Sequence, residues 1–461
     1  MISGLKPYPE YTETGLPWIR KMPVHWAQRR TKFLFRERVQ KGFPNEPLLA
    51  ATQSKGVVRK EDYGTRTVTA MKDFHLLKLV EGGDFVISLR SFEGGLEISH
   101  ARGIISPAYT VLKPNPDIYP GYYARFFKSP DFIHSLTLFV TGIREGQNID
   151  YERLSRAYMP LPPKDEQIAI GKFLNWANGR LERAIRAKRK TIALLNEQKQ
   201  AIIHRAVTRG LNPDAPTKPS GIPWFKEIPS HWEFLKLRRY CSVFAGATPS
   251  RYERKFWDGG TIPWLASGDV NMRRIKSASQ FITEAGFAAS STKWIRPKSL
   301  VIALAGQGRT KGMVATIEFN TTGNQSLAAV VPNPKKIDYR FLAYYIESRY
   351  LNIRNLVGDG LRDGLNLDHI KAIPIPIPPL EEQEKTADFL DTETQRIDCV
   401  IQGINRTVKL FEEYRSKLTA DVVTGKLDVR GVAAKLPDDS IKPEPDSSEP
   451  IEESETEESA I

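Results

Sequence analysis

The stretch "GIPWFKEIPSHW" at residues 221–232 repeats the stretch "GLPWIRKMPVHW" at residues 15–26. The copies lie 206 residues apart and agree mainly at glycine, proline, tryptophan and histidine. The matching positions are Gly15, Pro17, Trp18, Pro23, His25 and Trp26, and Gly221, Pro223, Trp224, Pro229, His231 and Trp232. A repeat at this distance in a chain of 461 residues indicates two structural units of similar build. We call "PWxxxxPxHW" the opening phrase.

A second repeated phrase ends each unit. "PLPPKDEQ" at 160–167 returns as "PIPPLEEQ" at 376–383, and we call this the closing phrase. Its paired prolines stop a strand-like run and can begin a helix. Acidic residues follow in the first turn, where the helix dipole favours negative charge. These residues are Asp165, Glu166, Glu381 and Glu382.

Each closing phrase leads into a long heptad pattern, with spacings that alternate between four and three residues. The apolar seam of the first pattern is Leu174, Leu181, Ile185, Ile192, Leu195 and Ile202. The seam of the second is Leu390, Ile397, Ile401, Ile404, Val408, Phe411 and Leu418. Matched seams of this length predict that the two helices form a coiled coil. Separate packing of each helix on its own domain is the alternative.

The connection between the units favours antiparallel helices. The linker "NPDAPTKP" at 212–219 reaches at most about 28 Å when extended. A helix from Leu174 to Ile202 is about 42 Å long. A parallel pair would need the chain to return along that length, whereas an antiparallel pair needs no return.

The unit interiors are rich in strand patterns, including "GGDFVISLR" at 82–90 and "SLVIALAGQGR" at 299–309, together with short amphipathic helices. We therefore predict an α+β fold: two mixed α/β domains joined by two long helices packed as an antiparallel coiled coil, with a pseudo-twofold internal repeat. The predicted segments are a first domain 1–162, helix 163–211, linker 212–220, second domain 221–377, helix 378–428 and acidic tail 429–461.

Charge is distributed unevenly along the chain. The net charge is +13, but residues 436–461 contain ten acids and one lysine, so residues 1–435 carry +22. A body this basic predicts a polyanionic partner, most often nucleic acid, although a generically basic protein is the alternative. The tail composition predicts disorder. No apolar run reaches eighteen residues, and we expect a cytoplasmic protein without a signal peptide or a membrane segment.

Motifs that carry catalysis are missing from the sequence. It has no GxxxxGK[ST] loop, no HExxH, no GxSxG and no "PPY"-type motif of amino-methyltransferases. The two cysteines, Cys241 and Cys399, form no CxxC pair. His25 and His231 recur inside the opening phrase, so we expect a buried, hydrogen-bonded packing role for them. The sequence therefore predicts a protein without catalytic or metal-binding residues.

Candidate DNA contacts lie in glycine-rich loops that also carry aromatic residues. Arginine reads guanine edges, while lysine and backbone amides hold phosphate. For each single cation a solvated surface position is an equal alternative. In the first domain the candidates are Lys55, Lys60, Arg66, Arg90, Ser91 and Arg102. In the second they are Thr248, Arg251, Arg254, Lys255, Arg273, Arg274, Arg309, Lys311 and Arg362.

The two phrases, the heptads and the stretches "GGDFVISLRS" and "GATPSRYERKFWDGGTIPW" together resemble the DNA-specificity subunit of type I restriction–modification systems. The resemblance covers about residues 12–428, and the acidic tail is not part of the family pattern. It implies that each domain reads one half of a bipartite site on double-stranded DNA. It also implies that the paired helices set the spacing between the halves.

The resemblance implies partners that perform the chemistry. Two modification subunits would methylate adenine with S-adenosylmethionine, and restriction/translocase subunits would use ATP and Mg²⁺, so this chain would hold no cofactor itself. Two other functions remain open. One is a tandem-domain DNA-binding regulator without a methyltransferase partner, and the other is a fused recognition–endonuclease protein.

Overall fold

The chain is divided into two compact units. A computed structural model describes residues 5–53, 55–63, 73–89, 91–141, 148–222, 225–306, 309–357 and 364–437. Unit 1 comprises Met1–Arg189 and Arg406–Ile461, and unit 2 comprises Lys190–Asn405. This division cuts both long helices near their middle, whereas the predicted segments treat each helix as a separate part. The acidic residues 438–461 lie outside the described part of the chain.

Unit 1 is a mixed α/β domain around a four-stranded antiparallel sheet in the order Phe35–Glu37, Thr110–Pro114, Phe85–Ile87 and Glu97–Ile98. Its other strands are Tyr11–Leu16, Ile19–Pro23, Ala27–Arg30, Leu49–Thr52, Gly56–Arg59, Lys78–Val80, Gly103–Ile105, Val140–Thr141, Asn148–Ile149 and Tyr158–Leu161. Its short α-helices are Thr31–Leu34, Ser91–Gly94, Pro120–Phe126, Pro130–Ser135, Tyr151–Arg156 and Arg430–Ala433. Short 3₁₀ turns span Lys60–Tyr63, Phe74–Leu76 and Leu136–Phe139.

Unit 2 has a five-stranded sheet in the order Cys241–Ala245, Leu327–Pro332, Ser299–Ala303, Val314–Ile317 and Arg274–Ile275, with only the last pair parallel. Its other strands are Thr217–Ile222, Phe225–Pro229, Glu233–Lys236, Ile262–Leu265, Gln280–Ile282, Thr322–Gly323 and Pro374–Ile377. Its short α-helices are Glu284–Ala288, Tyr339–Ser348, Tyr350–Arg354 and Leu367–Ala372. Short 3₁₀ turns span Leu237–Arg239, Arg254–Phe256 and Ser267–Asn271.

Apart from Pro223 and Trp224, which lie outside the described residues, the repeated phrases form the same local structure in both units. In each, a hairpin ends in the opening phrase, and the strand after it pairs antiparallel with the strand that begins the closing phrase. These paired strands are Ala27–Arg30 with Tyr158–Leu161 in unit 1, and Glu233–Lys236 with Pro374–Ile377 in unit 2. In each unit the two phrases are therefore neighbours in the fold, and both are repeated because the same strand pair connects them.

Two long helices follow the closing phrases. The first spans Lys164–Arg209 and the second spans Leu380–Val423. Both are helical in the first turn beyond the paired prolines, as the sequence predicts. Each helix places one half in each unit.

The long helices pack antiparallel in each unit. Interhelical side-chain hydrogen bonds join Glu182 to Arg415 and Arg189 to Glu412 in unit 1, and Lys199 to Asp398 in unit 2. In unit 1 the residue number rises along one helix as it falls along the other. The seam side chains predicted from the heptads are all buried or half-buried. The predicted pairing of the two helices is therefore confirmed.

A buried carboxylate holds the opening phrase of unit 1. Glu166, which is 2% exposed, accepts hydrogen bonds from the Trp26 indole at 2.9 Å and the Tyr8 hydroxyl at 2.5 Å. Its other oxygen lies 2.8 Å from His25 Nε2. Burial and the hydrogen bond to Glu166 raise the pKa of Tyr8 above its usual range, so the phenol stays a donor. Arg430 lies 4.0 Å from the same carboxylate.

Unit 2 repeats this arrangement with fewer donors. Glu382 accepts from the Trp232 indole at 3.1 Å and lies 2.8 Å from His231 Nε2. Both histidines therefore have the predicted hydrogen-bonded packing role, but their side chains are 39% and 46% exposed rather than buried. In each unit the "HW" of the opening phrase thus contacts the glutamate of the closing phrase.

The glutamine that follows each of these glutamates has a second joining role. Gln167 accepts from the backbone N–H of Tyr119 at 2.8 Å, and Gln383 accepts from that of Asp338 at 3.0 Å. Each amide also donates to a proline carbonyl of its own closing phrase, at 2.9 Å in both units. The side chains of "EQ" thereby fix both the opening phrase and the short helix of the domain.

A glycine just after each long helix lets the end of that helix lie close to a tryptophan of the opening phrase. Gly425, with φ +76°, follows the second helix, and a Cβ there would lie 2.9 Å from Trp26. Gly210, with φ +71°, follows the first helix, and its Cβ would lie 3.2 Å from Trp232. A left-handed glycine commonly ends a helix in this way. Each tryptophan thus contacts the start of one long helix and the end of the other.

These features confirm the predicted α+β class with its internal repeat. Strands and short helices lie where the sequence patterns place them, including Phe85–Ile87, Ser299–Ala303 and Tyr339–Ser348. No helix within the described residues has the length and apolar character needed to cross a bilayer.

We predict that Glu166→Gln lowers the unfolding free energy of unit 1 by about 3 kcal/mol, because a neutral amide weakens the hydrogen bonds that Tyr8 and Trp26 both donate to Oε1 and replaces the oxygen that faces His25. Glu382→Gln should cost unit 2 about 1.5 kcal/mol, because fewer hydrogen bonds depend on this carboxylate. Hydrogen exchange measured by mass spectrometry separates the two units. Glu381→Gln, an exposed position on the same turn, is the matched control and should change nothing measurable. If all three variants kept equal protection from hydrogen exchange, Glu166 and Glu382 would not stabilise their units as predicted.

Candidate nucleic-acid interface

The structure separates the predicted DNA contacts by their surroundings. Arg66, Arg90 and Arg362 lie outside the described residues. Ser91 is 2% exposed and Lys311 is 6% exposed, so neither side chain is available on the surface. For these two residues the sequence pattern identified the loop, but burial removes the side chain from any direct contact.

Several predicted cations are paired with carboxylates of the same unit. Arg102 donates to Glu46 at 2.7 Å and also contacts Glu81. The hydrogen bond to Glu46, with that to Glu81, raises the pKa of this guanidinium, although desolvation acts in the opposite direction. Since both carboxylates come from distant loops, the pairing holds Glu46 and Glu81 together. The Arg102 guanidinium therefore already holds two loops together, and a DNA ligand would have to compete with Glu46 and Glu81 for it.

Arg273 faces the short helix Tyr339–Ser348, and Arg274 faces the second long helix, each through an acidic partner. Arg273 lies 2.9 Å from Glu347 and 4.5 Å over the ring of Tyr344. Arg274 contacts Asp391, which also accepts from the Tyr344 hydroxyl at 2.8 Å. These contacts join the edge of the five-stranded sheet to the long helix. The two arginines are thus positioned as structural cations.

The loop at residues 246–257 presents a different environment. Arg254 pairs with Asp258 at 3.5 Å, and Lys255 pairs with Glu253 at 3.4 Å, all at exposed positions. Such surface pairs are weak and can be exchanged for a phosphate contact. Arg251 instead stacks on aromatic rings of the same loop region.

Four predicted contacts remain to be placed. Thr248 donates to the side chain of Gln325, and Lys60 is half-buried. Lys55 and Arg309 are exposed, on separate units. Exposed cations of this kind can bind phosphate without reading sequence.

The sequence pattern indicated the aromatic residues Tyr252 and Trp257 among the cations of this loop, but it assigned neither of them an individual role. Tyr252 is 98% exposed, and Trp257 supports Arg251. The dense alternation of cations and aromatics in "RYERKFW" was the signal available for both. The carboxylate partners of Arg102 and Arg274 had no such signal, because they are far away in sequence. Among the described residues, no three His, Cys, Asp or Glu side chains group as metal ligands would.

The fold and surface together define a class of protein: a duplicated α/β protein with paired long helices and cation-bearing loops. Comparison with known proteins gives a family match over part of the chain. Residues 229–410 match the family described as type I restriction modification DNA specificity domain. The resemblance predicted from the repeated phrases is therefore confirmed.

Two named relatives are type I restriction enzyme specificity subunits. The EcoR124I/EcoR124II subunit of Escherichia coli is 28% identical over 201 residues, covering 42% of this chain and 49% of that protein. The MjaVIII subunit of Methanocaldococcus jannaschii is 26% identical over 343 residues, covering 72% and 76%. The match thus spans about half the length of the first relative and three quarters of the second. These names agree with the prediction of a non-catalytic component.

Solved structures share the fold at low sequence identity. A chain from a type I restriction–modification system, solved for its complex assembly and conformational transition, has a TM-score of 0.68 and 14% identity, covering 87% of this chain and 98% of that chain. The HsdS subunit from Thermoanaerobacter tengcongensis has a TM-score of 0.50 and 15% identity, covering 88% and 98%. Both likenesses support the architecture.

We predict that Lys55→Ala and Arg309→Ala each weaken binding to any duplex DNA and reduce the salt slope of the binding constant by about 1. Fluorescence anisotropy between about 50 and 200 mM salt measures this slope. Arg274→Ala is the control: its charge is paired with Asp391, so melting temperature should fall while the slope stays unchanged. A normal slope in both of the first two variants would rule out phosphate contact by these residues.

Proposed function

We propose that this chain is the DNA-specificity subunit of a type I restriction–modification complex, in which each unit reads one half of a bipartite DNA site. One observation carries the proposal. In each unit a glutamate of the closing phrase, Glu166 or Glu382, accepts a hydrogen bond from the last tryptophan of the opening phrase, so the two phrases are connected in the same way twice. Each join fixes one α/β domain to the start of a long helix. The match of residues 229–410 to the DNA specificity domain supports the same conclusion.

The difference between the unit interiors supports an asymmetric site. Unit 1 is built on a four-stranded sheet and unit 2 on a five-stranded sheet with a parallel edge. The loops that carry the candidate contacts have different sequences, "GVVRKEDYG" in unit 1 and "GATPSRYERKFW" in unit 2. Because base readout depends on individual side chains, two such surfaces recognise different bases.

The paired long helices act as the spacer in this proposal. A helix from Leu174 to Ile202 is about 42 Å long. That length corresponds to roughly 12 base pairs of B-DNA at about 3.4 Å each. The two half-sites would then lie about one helical turn apart, on one face of the duplex.

Partner subunits supply the chemistry in this proposal. Two modification subunits dock on the helix pair, bind S-adenosylmethionine and methylate a flipped adenine. Restriction/translocase subunits bind ATP and Mg²⁺. The residues of this chain bind the duplex and orient it, through exposed cations such as Lys55 and Arg309.

Co-expression with the modification subunit of the same host tests the proposal. We expect a stable complex, and long-read sequencing should map methylated adenines in one motif with two fixed halves and a gap of constant length. Binding of DNA without any methyltransferase partner would instead support a tandem-domain regulator. Metal-dependent cleavage by the purified chain alone would support a fused recognition–endonuclease protein. Either result would overturn the assignment.

We predict that inserting one heptad between Ile185 and Ile192, with a second between Ile404 and Phe411, lengthens the methylated motif by about three base pairs. Seven helical residues add about 10.5 Å, and each base pair occupies about 3.4 Å. The two insertions lie near Arg189 and Glu412, which are hydrogen-bonded to each other, so the seam continues on both helices. A single insertion in one helix is the control and should impair assembly. An unchanged gap in the double variant would contradict the spacer role.

A further inference from the structure

The loop at residues 246–257 of unit 2 is fixed by two tryptophans. Trp264, which is 1% exposed, donates its indole N–H to the carbonyl of Ala247 at 3.0 Å. Trp257 donates to the carbonyl of Ser250 at 3.0 Å. The two rings meet edge to face, with centroids 5.1 Å apart at 89°. The tryptophans therefore hold the backbone on both sides of Pro249.

The start of the loop is fixed by close backbone packing. A Cβ at Gly246 would lie 1.8 Å from the carbonyl oxygen of Gly323, so only glycine fits there. The N–H of Ala247 donates to that same oxygen at 2.9 Å. A loop tied in this way presents its outer side chains from a defined backbone position.

Arg251 is held over these tryptophans. Its guanidinium carbon lies 4.1 Å from the Trp257 ring centroid and 5.0 Å from that of Trp264. One terminal nitrogen donates to the side-chain oxygen of Gln280 at 3.1 Å. The flat guanidinium is thus restrained before any ligand arrives, which lowers the entropic cost of using its remaining N–H groups.

The charge of Arg251 is not neutralised by a neighbour. No carboxylate within the described residues forms an ion pair with it, whereas Arg254 of the same loop pairs with Asp258. Arg251 is also exposed. A guanidinium that is restrained, exposed and without an acidic partner can offer paired N–H donors to a ligand with two acceptors side by side.

Tyr252 adds an aromatic ring beside this donor. The residue is 98% exposed, so its ring has almost no support from the protein. Both faces of such a ring are open to a ligand, and Arg251 lies next to it in the chain. In nucleic-acid binding, such rings stack on bases regardless of base identity.

We propose that Arg251 and Tyr252 form a base-contacting pair of unit 2, in which Arg251 reads one guanine through its O6 and N7 and Tyr252 stacks on a neighbouring base. Trp257 and Gln280 are positioning residues for Arg251. The inference rests on the proposed DNA-reading function and assigns the base-reading step to these two residues. A guanine edge presents the adjacent acceptors that a restrained guanidinium matches.

The alternative to a guanine contact by Arg251 is a phosphate contact. These two kinds of contact predict different experimental outcomes. A phosphate contact weakens binding to all sequences alike and lowers the salt slope by about 1. A guanine contact changes preference at one base position, because the wrong base leaves the donors without acceptors. Arg251→Lys separates the two cases, since lysine keeps the charge but lacks the planar pair of donors.

The test uses the complete complex with its modification subunits and long-read mapping of methylated adenines. Arg251→Lys should reduce discrimination for guanine at one position of one half-site by about tenfold and leave the other half-site unchanged. Trp257→Leu should relax the same position, because Arg251 loses its stacking partner. Arg254→Ala is the matched control in the same loop and should leave the motif intact while lowering the salt slope. Melting temperatures verify that each variant is folded.

Tyr252 is tested with 2-aminopurine in the duplex near the affected position. Stacking by the tyrosine should quench its fluorescence in the complex with unaltered protein and with Tyr252→Phe, and Tyr252→Ala should lose the quenching and bind about tenfold more weakly. A wild-type complex that methylates no bipartite motif would refute the proposed function itself. A normal wild-type motif that Arg251→Lys leaves unchanged, or quenching that Tyr252→Ala retains, would overturn this inference alone.

Discussion

The hydrogen bond from a tryptophan indole to a glutamate in the first turn of a long helix is the contact on which both units depend. Trp26 binds Glu166 in unit 1, and Trp232 binds Glu382 in unit 2. Each glutamate begins a long helix, and each tryptophan also lies against the glycine that ends the other one. Burying Glu166 without such donors would be costly, and the half-buried Glu382 has the same tryptophan and histidine partners, so each unit needs tryptophan, glutamate and glycine together. This requirement explains why phrases so far apart in the chain are repeated as sets.

The architecture was predictable because its signals are local or duplicated. The heptad seam needs only the spacing of residues such as Leu174 and Leu390, and paired prolines mark where both helices begin. The sequence predicted only part of the role of Glu166, namely that of a first-turn acid favoured by the helix dipole. The structure turns its side chain inward, while its neighbour Asp165 stays exposed. The repetition of "HW" and "EQ" in both units was the available signal for their contact.

The functional surface was less predictable, because a cation's availability depends on distant residues. Arg102 and Arg274 resemble Arg251 in sequence, since each lies in or beside a loop with glycine. Their carboxylate partners, Glu46 and Asp391, come from other parts of the chain. Lys311 fails for another reason, because its side chain is buried. Local composition therefore located the loops, and tertiary contacts decided which side chains within them are free to bind.

The distribution of unit 1 over both ends of the chain has a consequence for biosynthesis. Its core includes Leu418, Val422 and Val429, and the backbone N–H of Asp428 donates to the carbonyl of Lys6 at 2.8 Å. Unit 2, by contrast, is one continuous segment, Lys190–Asn405. The ribosome releases the chain from its amino end. The second unit can therefore complete its core while the first still lacks the carboxyl-terminal residues that complete its own core. The part that is translated first is thus the part that finishes folding last.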